Sequence, residues 1–235
     1  MIIKENRIKL NHVNREFMLK SDGKIDAREI IFFDLEHYVY KKPKCIGVFG
    51  ACIYDEIKNE LLVTQYMIEN KKEVRDILVL ALKYFKQMKE HGKKAISTFS
   101  GNNDFTVINY LFNKYKIDYD FEEEFNSIDL QKYYEREMGT SIGLKNLEKK
   151  FDIDRQGEVM SGSTLAKTFY KVLKDSEYIK RMPYEKIEKI LLYNEQDVVN
   201  LYHIFLNWNK YVIKEVVLEE EILEDKIKED KESED

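Results

Sequence analysis

Three apolar, strand-length runs follow one another with no helical segment between them, and two more come only after one helix each. "EIIFFDLE" (29–36), "CIGVFGACIYD" (45–55) and "ELLVTQYMIE" (60–69) are the first three, and "YDEIKNE" supplies a charged hairpin turn containing Asn59. Segment 71–92 then sets Val74, Ile77, Leu78, Ala81, Leu82 and Phe85 at helical spacing and stops at Gly92. "KAISTFS" (94–100) reads as a fourth strand, 103–116 as a helix and "FNSIDL" (125–130) as a short fifth strand. Helices are predicted over 131–138, 143–151, 163–175 and 184–212, the last beginning just after Pro183. Strands joined by turns pair antiparallel, whereas strands reached across a helix add in parallel. The order therefore predicts an α/β fold, a mixed five-stranded sheet with helices on both faces.

The first run ends in Asp34-Leu35-Glu36. Residues i and i+2 of a strand share a face, so two carboxylates stand side by side at the end of a buried strand. They repel each other and resist burial, and they need solvent, basic partners or a metal ion. Asp104 falls in the first turn of the helix after Gly101-Asn102-Asn103, a place that also suits an ordinary helix cap. Over 186–208, Ile187, Ile190, Leu191, Val198, Leu201, Ile204, Phe205 and Trp208 form one apolar stripe, broken near its middle by Asn194 and Asp197. Tyr193 and Asp197, four apart, lie on the same side of that helix. A surface aspartate beside a core tyrosine is the alternative. Four carboxylates at a strand end, a loop–helix junction and a helix flank are the hard oxygen donors that two magnesium or manganese ions take. Two such ions, roughly 3.5–4 Å apart, can flank a phosphodiester, one activating water and the other stabilising the leaving oxygen.

The 235-residue chain, 43% hydrophobic, suits one domain with a sizeable core, and it has no run of eighteen apolar residues for a membrane span. The N-terminus carries charges every few residues and lacks an apolar signal-peptide core. Cys45 and Cys52 have no metal-ligand or disulfide spacing and would face opposite sides of a strand. A reduced, cytoplasmic setting is the expectation. The net charge of −5 divides into −7 on residues 219–235 and +2 on the remainder, so the folded part is no obstacle to nucleic acid. The expected organisation is an N-terminal extension over 1–28 with a short strand, a domain over 29–212, and an acidic, fraying tail over 213–235.

The motifs "FFDLE", "FSGNNDFTVINYL" and "YNEQDVVNLYHIF" resemble those of the DEDD 3'–5' exonucleases of the ribonuclease-H-like fold. More specifically, the order of "SIDLQKYYEREMGTSIGLKNLEKKFDI", "MSGSTLAKTFYKVL" and the third motif is similar to the YprB-like family. The exonuclease domains of family B DNA polymerases are a more distant likeness. The resemblance implies a ribonuclease-H-like sheet and a metal-dependent 3'–5' exonuclease acting on single-stranded or end-frayed nucleic acid, DNA favoured over RNA. It implies that Asp34 bridges two Mg2+ or Mn2+ ions, that Glu36 and Asp197 complete one site, that Asp104 holds the second ion, and that Tyr193 orients the attacking water. Leu35, Asn102, Asn103 and Asn194 are the implied substrate contacts, although Asn102 and Asn103 also serve as turn formers. His37 stands where many relatives have a small hydroxyl residue, and Tyr193 where the YprB-like family often has histidine. A ribonuclease-H-like domain that binds nucleic acid or a protein partner without cleaving is the alternative. Lys41, Lys42, Lys44, Lys93, Lys94, Lys145, Lys149 and Lys150 are candidate phosphate holders or solvated charges. Tyr38, Phe99 and Phe105 are candidate base-stacking rings, the two phenylalanines equally suited to the core.

Overall fold

In the computed structural model, which describes residues 1–157 and 160–213, a six-stranded sheet runs through the chain. The strands are β1 (Ile2–Lys9), β2 (Ile30–Tyr40), β3 (Lys42–Asp55), β4 (Glu60–Met67), β5 (Ala95–Thr98) and β6 (Asn126–Asp129), in the order β1-β4-β3-β2-β5-β6. β2, β3 and β4 form the antiparallel meander, and β5 and β6 add in parallel beside β2. The sheet has one strand more than the five expected. β1 pairs antiparallel with β4 from Ile2↔Met67 to Lys9↔Glu60. Its residues alternate half-buried and exposed, the pattern of an edge strand with one face on the core.

The helices are α1 (Val74–Glu90), α2 (Asn102–Lys114), α3 (Phe121–Glu124), α4 (Leu130–Met138), α5 (Leu144–Lys150), α6 (Gly162–Lys174), α7 (Tyr184–Leu206) and α8 (Trp208–Tyr211). Alternation along β2 sorts its side chains between two cores. Ile31, Phe33 and Leu35 pack with α1, α2 and α6, whereas Ile30 and Phe32 pack with α4, α5 and the C-terminal half of α7. Cys45 and Cys52, both free and buried, fall one in each core. The helix expected over 184–212 is interrupted at Asn207, whose side-chain amide donates to the His203 carbonyl (2.9 Å), and Trp208 opens the separate α8. α7 spans both cores. Ile187, Ile190 and Leu191 join the first, Val198, Leu201 and Phe205 the second, and Asn194 and Asp197 sit at the polar gap between them. The acidic stretch 214–235, and with it the expected tail, lies outside the described residues. Among the described residues no helix is long and apolar enough to cross a membrane.

Candidate active site

Asp34 and Glu36 lie at the middle of β2, which runs four residues past the end expected at Glu36, and the polar gap of α7 lies over them. Asp34, Glu36 and Asp197 each bring a carboxylate oxygen to within 4.8 Å of one another. They line a cavity of about 250 Å3, together with Leu35, His37, Asn103, Asp104, Tyr193 and Arg155. Asp104 stands outside the triplet of closest carboxylates but is only 6% exposed on the cavity wall, and its Oδ1 is 3.9 Å from His37 Nδ1. Asp104 lies in the first turn of α2, whose N-cap is Gly101.

Each acid is held in place by the fold around it. In the sheet register, Gln65, Gly50 and Asp34 are neighbours across β4, β3 and β2. Asn194 lies over that row. Its Nδ2 donates to Asp34 Oδ2 (3.0 Å), and its Oδ1 accepts from Gln65 Nε2 (2.9 Å). The same Gln65 amide also donates to the Leu191 carbonyl (2.8 Å), which ties α7 to the sheet. A Cβ at Gly50 would sit 2.1 Å from Asn194 Oδ1, so this arrangement requires glycine there. On the other side, the turn between β5 and α2 is fixed by Asp129 at the end of β6. Its carboxylate accepts from the backbone amides of Ser100 (3.0 Å), Gly101 (3.1 Å) and Gln131 (3.1 Å). Ser100 is thereby held at φ 58°, a left-handed conformation that a non-glycine residue adopts at a cost, and α2 starts where Asp104 faces the cavity.

The electrostatics follow from this crowding. Burial, opposed by the Asn194 hydrogen bond and by Arg155, pushes Asp34 up to about 6. Burial, and after it the surrounding carboxylates, raises Glu36, Asp104 and Asp197 well above the ordinary carboxylate range. Burial also raises the Tyr193 hydroxyl, reinforced by Asp197 and Glu36, so it stays a neutral phenol at pH 7. Burial lowers His37, which leaves its ring neutral near Asp104 at pH 7. A convergent set of buried carboxylates that suppress one another's ionisation is a donor set lacking its positive charge, and the chemistry of its oxygens fits a divalent cation.

One protein cation partly supplies that charge. Arg155, in the loop after α5, hydrogen-bonds Asp197 and forms a two-nitrogen fork on Glu148 (Nε 2.7 Å, Nη2 2.6 Å). Glu148, 2% exposed, also accepts from Asn200 Nδ2 (2.9 Å). The guanidinium lies 5.0 Å and Lys145 Nζ 5.5 Å from the Tyr193 ring centroid. Sequence reading missed Arg155, Glu148, Asp129 and Gly50. Only Asp129 left a local sign, an aspartate directly before the apolar start of a helix.

Two of the expected substrate contacts, Asn194 and Asn102, do not line the cavity. Asn194 is fully buried, and its amide is engaged by Asp34 and Gln65, so it positions a carboxylate and does not reach solvent. Asn102 is absent from the cavity wall and accepts from Lys132 Nζ (3.1 Å). Leu35 lines the cavity while its side chain packs in the core, and Asn103 lines it from an exposed position. Of the candidate lysines, Lys145 reaches the cavity. Lys93 and Lys94 lie at the opposite end of the sheet, Lys93 donating to the Arg28 carbonyl (2.6 Å) and Lys94 pairing with Glu29 (2.5 Å). Phe99 lines the cavity, whereas Phe105 packs between Phe33 and Phe121.

A family profile for the RNase H superfamily matches residues 31–209, which includes every residue of this cavity. The chain belongs to the RNase H superfamily. A search of curated proteins finds no match. The superfamily match begins inside β2 and ends in α8, so β1 lies outside it.

Proposed function

We propose that this RNase H superfamily domain is a metal-dependent 3'–5' exonuclease of the DEDD type, acting on single-stranded or end-frayed nucleic acid. The observation that carries the reading is the convergence of Asp34, Glu36 and Asp197, from two elements far apart in sequence, with Asp104 on the wall of the same cavity. Asp34, Glu36, Asp197 and Asp104 would hold one or two magnesium or manganese ions. Bound there, such ions supply Lewis acidity toward phosphate oxygens and acidify water. Tyr193, kept as a phenol, orients an attacking water by hydrogen bonding and is unsuited to act as a base. Lys145 places a positive charge at the cavity wall, where it attracts a phosphate. In the hydrolysis the water oxygen bonds to phosphorus, the bond from phosphorus to the 3' oxygen breaks, and that oxygen takes up a proton.

A second reading has one observation in its favour. Arg155 engages Asp197 from within the cluster, as a built-in counter-charge would in a domain that binds nucleic acid without cleaving it. One assay separates the two. End-labelled single-stranded DNA and RNA are incubated with manganese or magnesium and the wild-type chain, Asp34→Ala or Asp197→Ala, with chelator as control. A ladder shortening from the 3' end, abolished by both substitutions and by chelator, is the expected result. Folded wild-type protein that leaves both substrates intact overturns the nuclease reading and favours the non-cleaving one.

A further inference from the structure

Apart from the carboxylate cavity, a groove of about 800 Å3 is lined in part by residues that follow that site in β2. The site is lined by β2 residues up to His37, and the groove by Tyr38 and Tyr40 of the same strand. Tyr38 and Tyr40 follow Glu36 by two and four residues, across register irregularities at Glu36/His37 and Tyr38/Val39.

Four more elements meet β2 around the groove. α6 contributes Lys167, Tyr170 and Lys174, spaced i, i+3 and i+7 on one helix face. Lys44 comes from β3, Lys71 from the turn before α1, and Lys114 and Tyr115 from the end of α2. The lining thus holds five lysines and no aspartate or glutamate, in a chain where acids outnumber bases 44 to 39. Among the described residues the lysine ion pairs lie elsewhere, at Lys4, Lys58, Lys89, Lys94 and Lys180. A lysine at a helix end is ordinary complement to the helix dipole. Five converging from four elements without an acid among them is not explained that way.

The aromatic rings complete the pattern. Tyr170 is 45% and Tyr40 60% exposed, although tyrosine rings usually find cover. Tyr170 meets Tyr38 edge-on, with centroids 5.6 Å apart, so the two rings brace each other across the groove. A Cβ at Gly47 would lie 2.3 Å from the Phe169 ring, so glycine there lets α6 approach β3 closely and present Tyr170 beside β2. Basic side chains that follow a phosphate backbone, interleaved with exposed rings for unpaired bases, are the means by which single strands are held without sequence preference.

We propose that this lysine–tyrosine groove binds the single-stranded stretch of a nucleic acid whose end enters the carboxylate cavity. The inference rests on the nuclease reading for its direction along β2, but the binding itself needs no cleavage. Its test is therefore made in chelator, by fluorescence anisotropy of labelled oligo-dT and oligo-U on the full chain. The variants are Lys167→Gln with Lys174→Gln, Tyr170→Ala and Tyr170→Phe, each checked for an unchanged unfolding midpoint. Loss of two phosphate contacts lowers the slope of log affinity against log salt by about 1.4. Tyr170→Ala weakens binding by about fivefold or more, and Tyr170→Phe retains it, because stacking needs the ring and not the hydroxyl. Binding of either sugar with these losses supports the groove. Wild-type affinity in all the variants overturns it. So does equal or tighter binding of the matching duplex, or binding of phosphatidylserine vesicles in place of single strands. A chain that binds in this way yet fails the cleavage assay refutes the nuclease reading alone. A chain that cleaves but binds independently of these residues refutes the groove alone.

Discussion

At the scale of single residues, the site is a problem in charge compensation that the chain only partly solves. Asp34 has a neutral donor, Asn194, and Asp197 has a cationic one, Arg155, while Glu36 is surrounded by carboxylates. Arg155 is shared. It neutralises Asp197 at the cavity and Glu148 beneath it, and its side chain is only 8% exposed. Removing one partner from a buried ion pair leaves the other charge uncompensated, which costs about 3–5 kcal/mol. Arg155→Ala is therefore expected to destabilise the chain by about that amount in urea unfolding, chiefly through Glu148. Arg155→Lys keeps the charge but loses the planar fork, and is expected to recover only part of it. If Arg155 also restrains Asp197 against a metal ion, Arg155→Ala binds manganese more tightly at equal folded fraction. Weaker manganese binding would instead make Arg155 a support of the metal site.

At the scale of elements, the site depends on where one secondary structure stops and another starts. β6 ends in Asp129, and that carboxylate fixes the turn that starts α2 and so faces Asp104 to the cavity. Asp129→Ala strands three backbone amides, one of them already turned away from solvent. The expected loss is about 1–3 kcal/mol of stability. Cleavage is expected to fall further than the folded fraction, because Asp104 loses its placement. Parallel loss of both would confine Asp129 to a structural role. This element-level dependence marks the limit of what the sequence discloses. The strand order, the shared face of Asp34 and Glu36 and the Tyr-x-x-x-Asp flank are legible because each is written in a local period of two or of three to four residues, whereas the strand expected to end at Glu36 runs on to Tyr40 and leaves the pair at its middle. β1 falls in the N-terminal stretch where the sequence suggests a short strand, but its partner, β4, lies across more than fifty residues, and alternation alone does not say where an edge strand pairs. Arg155 sits in a loop with no period, and its meaning comes from Asp197, 42 residues away. Gly50 reads as a strand glycine until Asn194 is seen to fill the space above it.

At the scale of the whole molecule, the carboxylates lie at the seam where α7 passes from one core to the other, so their ionisation bears on the stability of both. Asp34 is held up to about 6 in the fold, against 3.8 ordinarily. Between those values the folded chain binds more protons than the unfolded one, so metal-free stability falls as pH rises through that window. The full loss from this one group, roughly 2–3 kcal/mol, is in place above the folded value. Glu36, Asp104 and Asp197 are raised in the same direction and extend the decline. In chelator, Asp34→Asn is therefore expected to be more stable than wild type at neutral pH and to lose that advantage at about pH 4, where Asp34 is protonated in the fold. A divalent cation reverses the balance by binding only the ionised set. At a hundred times its dissociation constant it adds about 2.7 kcal/mol, or roughly 5–10 °C in the unfolding midpoint for a chain of this size. The increment grows with pH, as protons leave the competition for the oxygens, and vanishes in Asp34→Asn. Thermal unfolding of wild type and Asp34→Asn, with and without manganese across this pH range, checks all of this in one series. A midpoint in wild type that is indifferent to manganese at neutral pH would mean that the acids converge without holding a metal, and the nuclease reading would fall with it.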